Sequence, residues 1–261
     1  MKHKFAAQLY TLRKQLTHDF AGTLRELKKM GWQAVQIDGL RGHSAEEIAE
    51  ALRETGLKVA GMHISLDRMV HDLDAVIHEG YLFQTKDIFC HYLDEEMQNE
   101  SGYRKAKRIL LDTATKLNEI GYRVGYHNHE FEFQSTVDEQ LALDYLTMPS
   151  GNRFIYPEID TYWVRYADVD PLTYLSKFPF RCPIIHLKDM KSNPTLRYPE
   201  SLTEIGNGTI DFLSILRWGE QNGVEYYAVE QDICERDPLE SLSISLEYLL
   251  KLSEEVSSCL N

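Results

Sequence analysis

Short runs of apolar and β-branched residues alternate along this chain with stretches whose apolar positions recur at three- and four-residue spacing. Residues 5–9 read as a strand, and residues 20–30 as a helix with Leu24 and Leu27 on one face. Residues 34–38 form the next strand. The run Ser44-Ala45-Glu46-Glu47 has the pattern of a capping box and predicts a helix over 45–55, which Gly56 ends. Strands follow at 59–63 and 87–90, with a helix near 72–79 between them. A long amphipathic helix is predicted over 103–120, stopped by Gly121. Four more pairs complete the pattern: strand 123–127 with helix 138–147, strand 154–160 with helix 171–178, strand 184–188 with helix 211–222, and strand 225–230 with helix 239–256.

Strands that alternate with helices imply a parallel sheet, because each parallel connection needs a crossover. Eight such units in 261 residues favour closure into a (β/α)8 TIM barrel of class α/β, a single domain over 1–261. The alternative is an open doubly wound sheet. No Gly-x-Gly-x-x-Gly follows any strand, so the dinucleotide fingerprint that would support it is missing. The long connection over 190–209, with Pro194 and Pro199, is a candidate active-site lid.

Charge narrows the partners. Lys and Arg number 28 against 41 Asp and Glu, a formal net charge of −13. Such a chain repels polyanions, which excludes a nucleic-acid surface and disfavours anionic membranes. It also suits a neutral substrate better than a phosphorylated one. Cys90, Cys182, Cys234 and Cys259 are scattered without a Cys-x-x-Cys pair and read as reduced thiols of a cytoplasmic protein. Residues 1–12 lack the apolar stretch of a signal peptide, and no apolar run approaches the length of about 20 residues needed for a membrane span.

In a barrel the catalytic groups come from the C-terminal ends of the strands. Those positions carry Gln8, Asp38, His63 and His91; then His127, Asn128, His129 and, just beyond, Glu132; then Asp160; then His186, Lys188 and Asp189; and finally Glu230, Gln231 and Asp232. Groups of this kind are costly to bury unless they are paired or bound to metal. Carboxylates mixed with imidazole suit one divalent ion of the Mn, Co, Mg or Zn type. Such an ion would hold two oxygens of a sugar and polarise its carbonyl.

The runs Tyr156-Pro157-Glu158-Ile159-Asp160, Ile185-His186-Leu187-Lys188-Asp189 and Val229-Glu230-Gln231-Asp232 resemble the xylose isomerase-like superfamily of sugar isomerases and epimerases. So do Ala7-Gln8-Leu9-Tyr10-Thr11-Leu12-Arg13, Tyr126-His127-Asn128-His129-Glu130-Phe131-Glu132-Phe133 and the stretch from Glu204 to Phe212. The resemblance implies an isomerase or epimerase of a small keto-sugar or polyol, acting through a metal-stabilised enediolate. It implies a metal held by Glu, Asp, His and Glu, matched here by Asp160, His186 and Glu230. At the remaining place many relatives have Glu-Asn-His, where this chain has His127-Asn128-His129. Glu132 is the expected fourth ligand, with His127 as the alternative. Catalytic roles are then expected for Glu132, Glu230 and Lys188, and substrate contacts for His63, His127, His129, Trp163 and Asp232. Related dehydratases and lyases of keto-sugars and keto-inositols use the same scaffold and are the alternative reaction.

Blander roles compete with these. Glu158 should lie deeper in the barrel than Asp160, paired with a cation. Asp189 and Asp232 could serve only to orient Lys or His side chains. His91 reads as a loop residue, and His3, His18, His43, His71 and His78 receive no role. Endonuclease IV-type barrels share the scaffold but need three zinc ions and a basic groove. A sugar-binding barrel without catalysis would not require the metal set. Barrels of this size commonly form dimers or tetramers, which leaves homo-oligomerisation open.

Overall fold

The computed structural model describes residues 1–193 and 195–259. Pro194 of the long connection, the Cys259 side chain and residues 260–261 lie outside the described residues. Eight strands close into a parallel barrel: β1 (Phe5–Gln8), β2 (Ala34–Asp38), β3 (Lys58–Ile64), β4 (Asp87–Cys90), β5 (Arg123–His127), β6 (Tyr156–Asp160), β7 (Ile184–Leu187) and β8 (Tyr226–Val229). Each strand pairs with its sequence neighbours, and β8 returns to β1 with Phe5 opposite Tyr227. The expected (β/α)8 barrel is the observed one. No helix among the described residues is long and apolar enough to cross a membrane.

Local chemistry explains the element ends. Ser44 accepts the Glu47 N–H while the Glu47 side chain accepts the Ser44 N–H, so the helix Ala45–Thr55 carries the capping box, and Gly56 closes it at φ 63°. The helix predicted over 72–79 runs Leu73–Phe83, because Gln84 adopts the left-handed conformation that ends it. The helix predicted from 103 starts at Glu100, where the Asn99 side chain accepts the Gly102 N–H.

Two regions depart further from the sequence pattern. Over 138–147 only Ala142–Thr147 is helical. Asp138 and Glu139 take positive φ, 49° and 65°, and turn a short hairpin that pairs Thr136–Val137 with Gln140–Leu141. In the candidate lid, Asp189–Met190 pairs with Leu202–Thr203 in a separate two-stranded ribbon.

Inside the barrel, side chains two apart on a strand share a face and stack in layers. The lower layer is apolar and small, with Ala6, Ala34, Ala60, Phe89, Ile184 and Ala228 fully buried. Gly125 belongs there because a Cβ would collide with the Phe89 ring and the Tyr156 carbonyl. Below it, Arg123 forms two-pronged ion pairs with Asp87 and Glu225 and closes the floor. The layer above is polar: Gln8, Gln36, Glu158 and His186 are wholly buried, and His63 and His127 nearly so. The main apolar core lies between the barrel and its helices.

Candidate active site and metal centre

At the C-terminal ends of β5 to β8 one donor atom from each of His127, Asp160, His186 and Glu230 falls within 4.8 Å of the others, all four side chains buried. Nδ1 of His186 lies 3.1 Å from Oε2 of Glu230, and Nε2 of His127 lies 3.8 Å from Oδ2 of Asp160. Oδ1 of Asp160 accepts the Tyr162 and Trp163 N–H groups and so caps the helix Thr161–Tyr166. Its Oδ2 is buried and no hydrogen bond of good geometry reaches it. Two imidazoles and two carboxylates, one with an unsatisfied oxygen turned into the group, fit a divalent ion of the kind the sequence suggests.

Lys188 crosses this group. It is 1 % exposed, and its ammonium lies 2.8 Å from Asp232 Oδ1 and 3.1 Å from both Asp160 Oδ2 and Glu230 Oε2. Burial opposes its charge, but the three carboxylates prevail and hold its pKa well above the lysine range. Glu230 also overcomes its burial: Lys188 and His186 hold it well below the carboxylate range. Burial dominates at Asp160, which rises to about 6 despite Lys188. His127 falls to about 3 through burial and its neighbour His186. His186 goes the other way, to about 10, because the charge of Glu158 and hydrogen bonds to Glu158 and Glu230 outweigh burial.

Glu132 is not part of this donor group. It is wholly buried, with Oε1 accepting the Tyr126 hydroxyl at 2.5 Å and Oε2 the His129 N–H at 2.8 Å. Burial raises its pKa to about 8, so it carries its proton at neutral pH. It lies on the short helix Phe131–Gln134, and His127 is the β5 residue whose ring joins the donor group.

A cavity of about 440 Å³ opens above the donors, lined by His63, His127, His129, Trp163, Lys188, Glu230 and Asp232 among others. The five residues expected to touch substrate all border it. A comparable cleft outside the barrel, between Arg165, Lys191 and Arg197, lies apart from the imidazole and carboxylate cluster. At the mouth of the inner cavity Tyr92, Phe131, His129, Trp163 and Tyr198 form a continuous arc of ring contacts 5.0–5.4 Å apart. Trp163 is buried and its Nε1 has no partner.

Two residues here were read differently from the sequence, and one, Gln36, was missed. His91 borders the cavity, stacks 5.7 Å from His63, and is pushed down to about 4 by burial. Its position one residue past β4 was the available signal. Gln36, two residues before Asp38, sits at the centre of the buried polar layer. Asp189 orients no Lys or His: it accepts N–H bonds from Met190, Gly206, Gly208 and Ile210 and ties together the two ends of the 190–209 connection. A Cβ on Gly208 would strike its carboxylate, which accounts for that glycine.

No model of a known protein family matches the sequence. An inosose dehydratase from Clostridium beijerinckii is 26% identical over 160 residues, 55% of this chain and 51% of that protein. The chain thus matches about half the length of that relative. An inosose dehydratase from Geobacillus kaustophilus is 22% identical over 267 residues, 88% of this chain and 86% of its own. Among solved structures, a sugar phosphate isomerase/epimerase from Parabacteroides distasonis superposes with a TM-score of 0.78 at 20% identity, over 95% of this chain and 98% of that one. Identities this low speak to architecture alone, and the chain shares the (β/α)8 barrel fold of that structure.

Proposed function

We propose that this chain is a divalent-metal-dependent enzyme that removes the proton beside a carbonyl of a small uncharged keto-sugar or keto-polyol and expels a neighbouring leaving group, as a dehydratase or lyase. The observation that carries the reading is the convergence of His127, Asp160, His186 and Glu230 with the Lys188 ammonium, with His127, Lys188 and Glu230 bordering the cavity. An ion held by those four donors would supply Lewis acidity towards a carbonyl and an adjacent hydroxyl.

The chain's own groups supply the rest. Glu230, kept ionised, is placed to accept a proton. Lys188, kept as an ammonium, donates hydrogen bonds to negative charge that develops on a substrate oxygen. Asp232 steadies that ammonium, and Trp163, beside His129, offers an aromatic face to a sugar ring. The lining includes the carboxylates Asp38, Glu130, Glu230 and Asp232 against the single ammonium of Lys188, which supports an uncharged substrate over a phosphorylated one.

The likeness to inosose dehydratases supports elimination. A second reading, isomerisation or epimerisation, takes support from the fold's likeness to a sugar phosphate isomerase/epimerase. It would use the same proton removal and return the proton to carbon. A two-glutamate shuttle through Glu132 is disfavoured, because Glu132 does not line the cavity. The test is to offer keto-inositols and keto-hexoses with Mn²⁺, Co²⁺, Mg²⁺ or Zn²⁺ and weigh the products. Loss of water supports elimination and conserved mass the second reading; no conversion with any of the metals would overturn both.

A further inference from the structure

Beneath the four donors lies a carboxylate with no exposure to solvent. Glu158 Oε2 lies 2.6 Å from His63 Nε2 and 3.1 Å from His127 Nδ1, with His186 Nε2 at 3.3 Å. Its Oε1 lies 2.6 Å from the Gln36 side-chain nitrogen. An ionised carboxylate only accepts hydrogen bonds, so each close partner must donate.

That requirement spreads through the layer. Gln36 turns its amide nitrogen to Glu158, so its carbonyl faces Gln8 Nε2 at 3.1 Å and His186 Nε2 at 2.7 Å. Both nitrogens must therefore carry hydrogen. Gln8 donates from the same nitrogen towards His63 Nδ1 at 3.2 Å, which leaves the His63 proton on Nε2, against Glu158. The Gln8 carbonyl is in turn held by the Tyr10 N–H. These hydrogen bonds agree with one proton arrangement.

We propose that Glu158 and Gln36 are positioning residues that place the proton of His127 on Nδ1 and a proton of His186 on Nε2, so that His127 Nε2 and His186 Nδ1 are the nitrogens offered to a metal. Those two nitrogens are the ones that face Asp160 and Glu230. The proposal rests on the metal reading above but concerns the protein's own hydrogen bonds, so it can be examined without an ion. Outer partners of this kind orient ligating imidazoles and commonly set metal affinity by about 10- to 100-fold.

The test uses long-range ¹H–¹⁵N imidazole spectra of the metal-free chain, together with Zn²⁺ affinity measured by competition with a chromophoric chelator. In the wild type His127 should carry hydrogen on Nδ1 and His63 on Nε2. Glu158→Gln should mix the His127 tautomers and weaken Zn²⁺ binding by about 10- to 100-fold. Gln36→Met should leave His127 on Nδ1 yet still weaken Zn²⁺, because His186 Nε2 loses its nearer acceptor at 2.7 Å and keeps only Glu158 at 3.3 Å. Hydrogen on His127 Nε2 in the wild type, or Glu158→Gln with unchanged tautomers and affinity, would overturn the proposal. Should Glu158→Gln not fold, the wild-type spectrum and Gln36→Met decide the matter. A wild type with the expected tautomers that binds no Zn²⁺ would sink the metal reading while sustaining this one.

Discussion

The Lys188 ammonium sits 3.1 Å from Oδ2 of Asp160, the one oxygen of that carboxylate that no well-formed hydrogen bond reaches. In the metal-free chain this buried ammonium faces Asp160, Glu230 and Asp232 together, with the His186 imidazole also against Glu230.

Removing that cation should expose the imbalance. Lys188→Met keeps most of the volume but leaves three carboxylates buried together, a loss of about 3–5 kcal/mol in metal-free protein. A divalent ion should restore much of the difference by supplying positive charge to the same oxygens. Thermal unfolding with and without Mn²⁺ measures both effects. An unchanged Tm in metal-free Lys188→Met would contradict the pairing.

Glu230→Gln removes a charge and a base while preserving shape, and turnover should fall by about 10²- to 10⁴-fold with the circular dichroism spectrum unchanged. Single-turnover rates at saturating metal isolate the chemical step. Wild-type rates would dismiss Glu230 as the proton acceptor.

Metal binding should release protons. In the metal-free chain His186 titrates near 10, so at neutral pH an ion must displace its proton. Between pH 7 and 9 affinity should therefore rise about tenfold per pH unit. Below about pH 6 the Asp160 carboxyl also becomes protonated, and the slope should steepen. Calorimetry in buffers of different ionisation enthalpy counts the protons; a flat affinity from pH 7 to 9 would contradict the assignment.

Glu132 offers a separate check. Its folded pKa of about 8 lies above its unfolded value, so its contribution to stability is complete in acid and disappears as pH rises through 8. Glu132→Gln should be nearly neutral at pH 4 and more stable than wild type at pH 8. Urea unfolding at the two pH values reads the difference. Loss of metal in this variant would instead return Glu132 to the ion.

Asp160, His186 and Glu230 were legible in the amino-acid sequence as inward-facing groups, because strand periodicity puts every second residue of a barrel strand on its inner face. Helix ends such as Ser44 and Gly56 were legible for a similar reason: their chemistry is completed within a few residues. The hairpin at Asp138 and Glu139 was not, since left-handed backbone at two acidic residues carries no strong local signal.

The choice between Glu132 and His127 belongs to the tertiary structure. It depends on which way a loop turns after β5, and the Tyr126 hydroxyl and the His129 N–H hold Glu132 outside the donor group. The proton arrangement of the imidazoles is equally non-local. Gln36 and Glu158 lie 122 residues apart in the chain, and only barrel closure brings amide, carboxylate and imidazole into one layer. Local sequence determined which side chains face inward; the contacts between strands decided what each can donate, accept or bind.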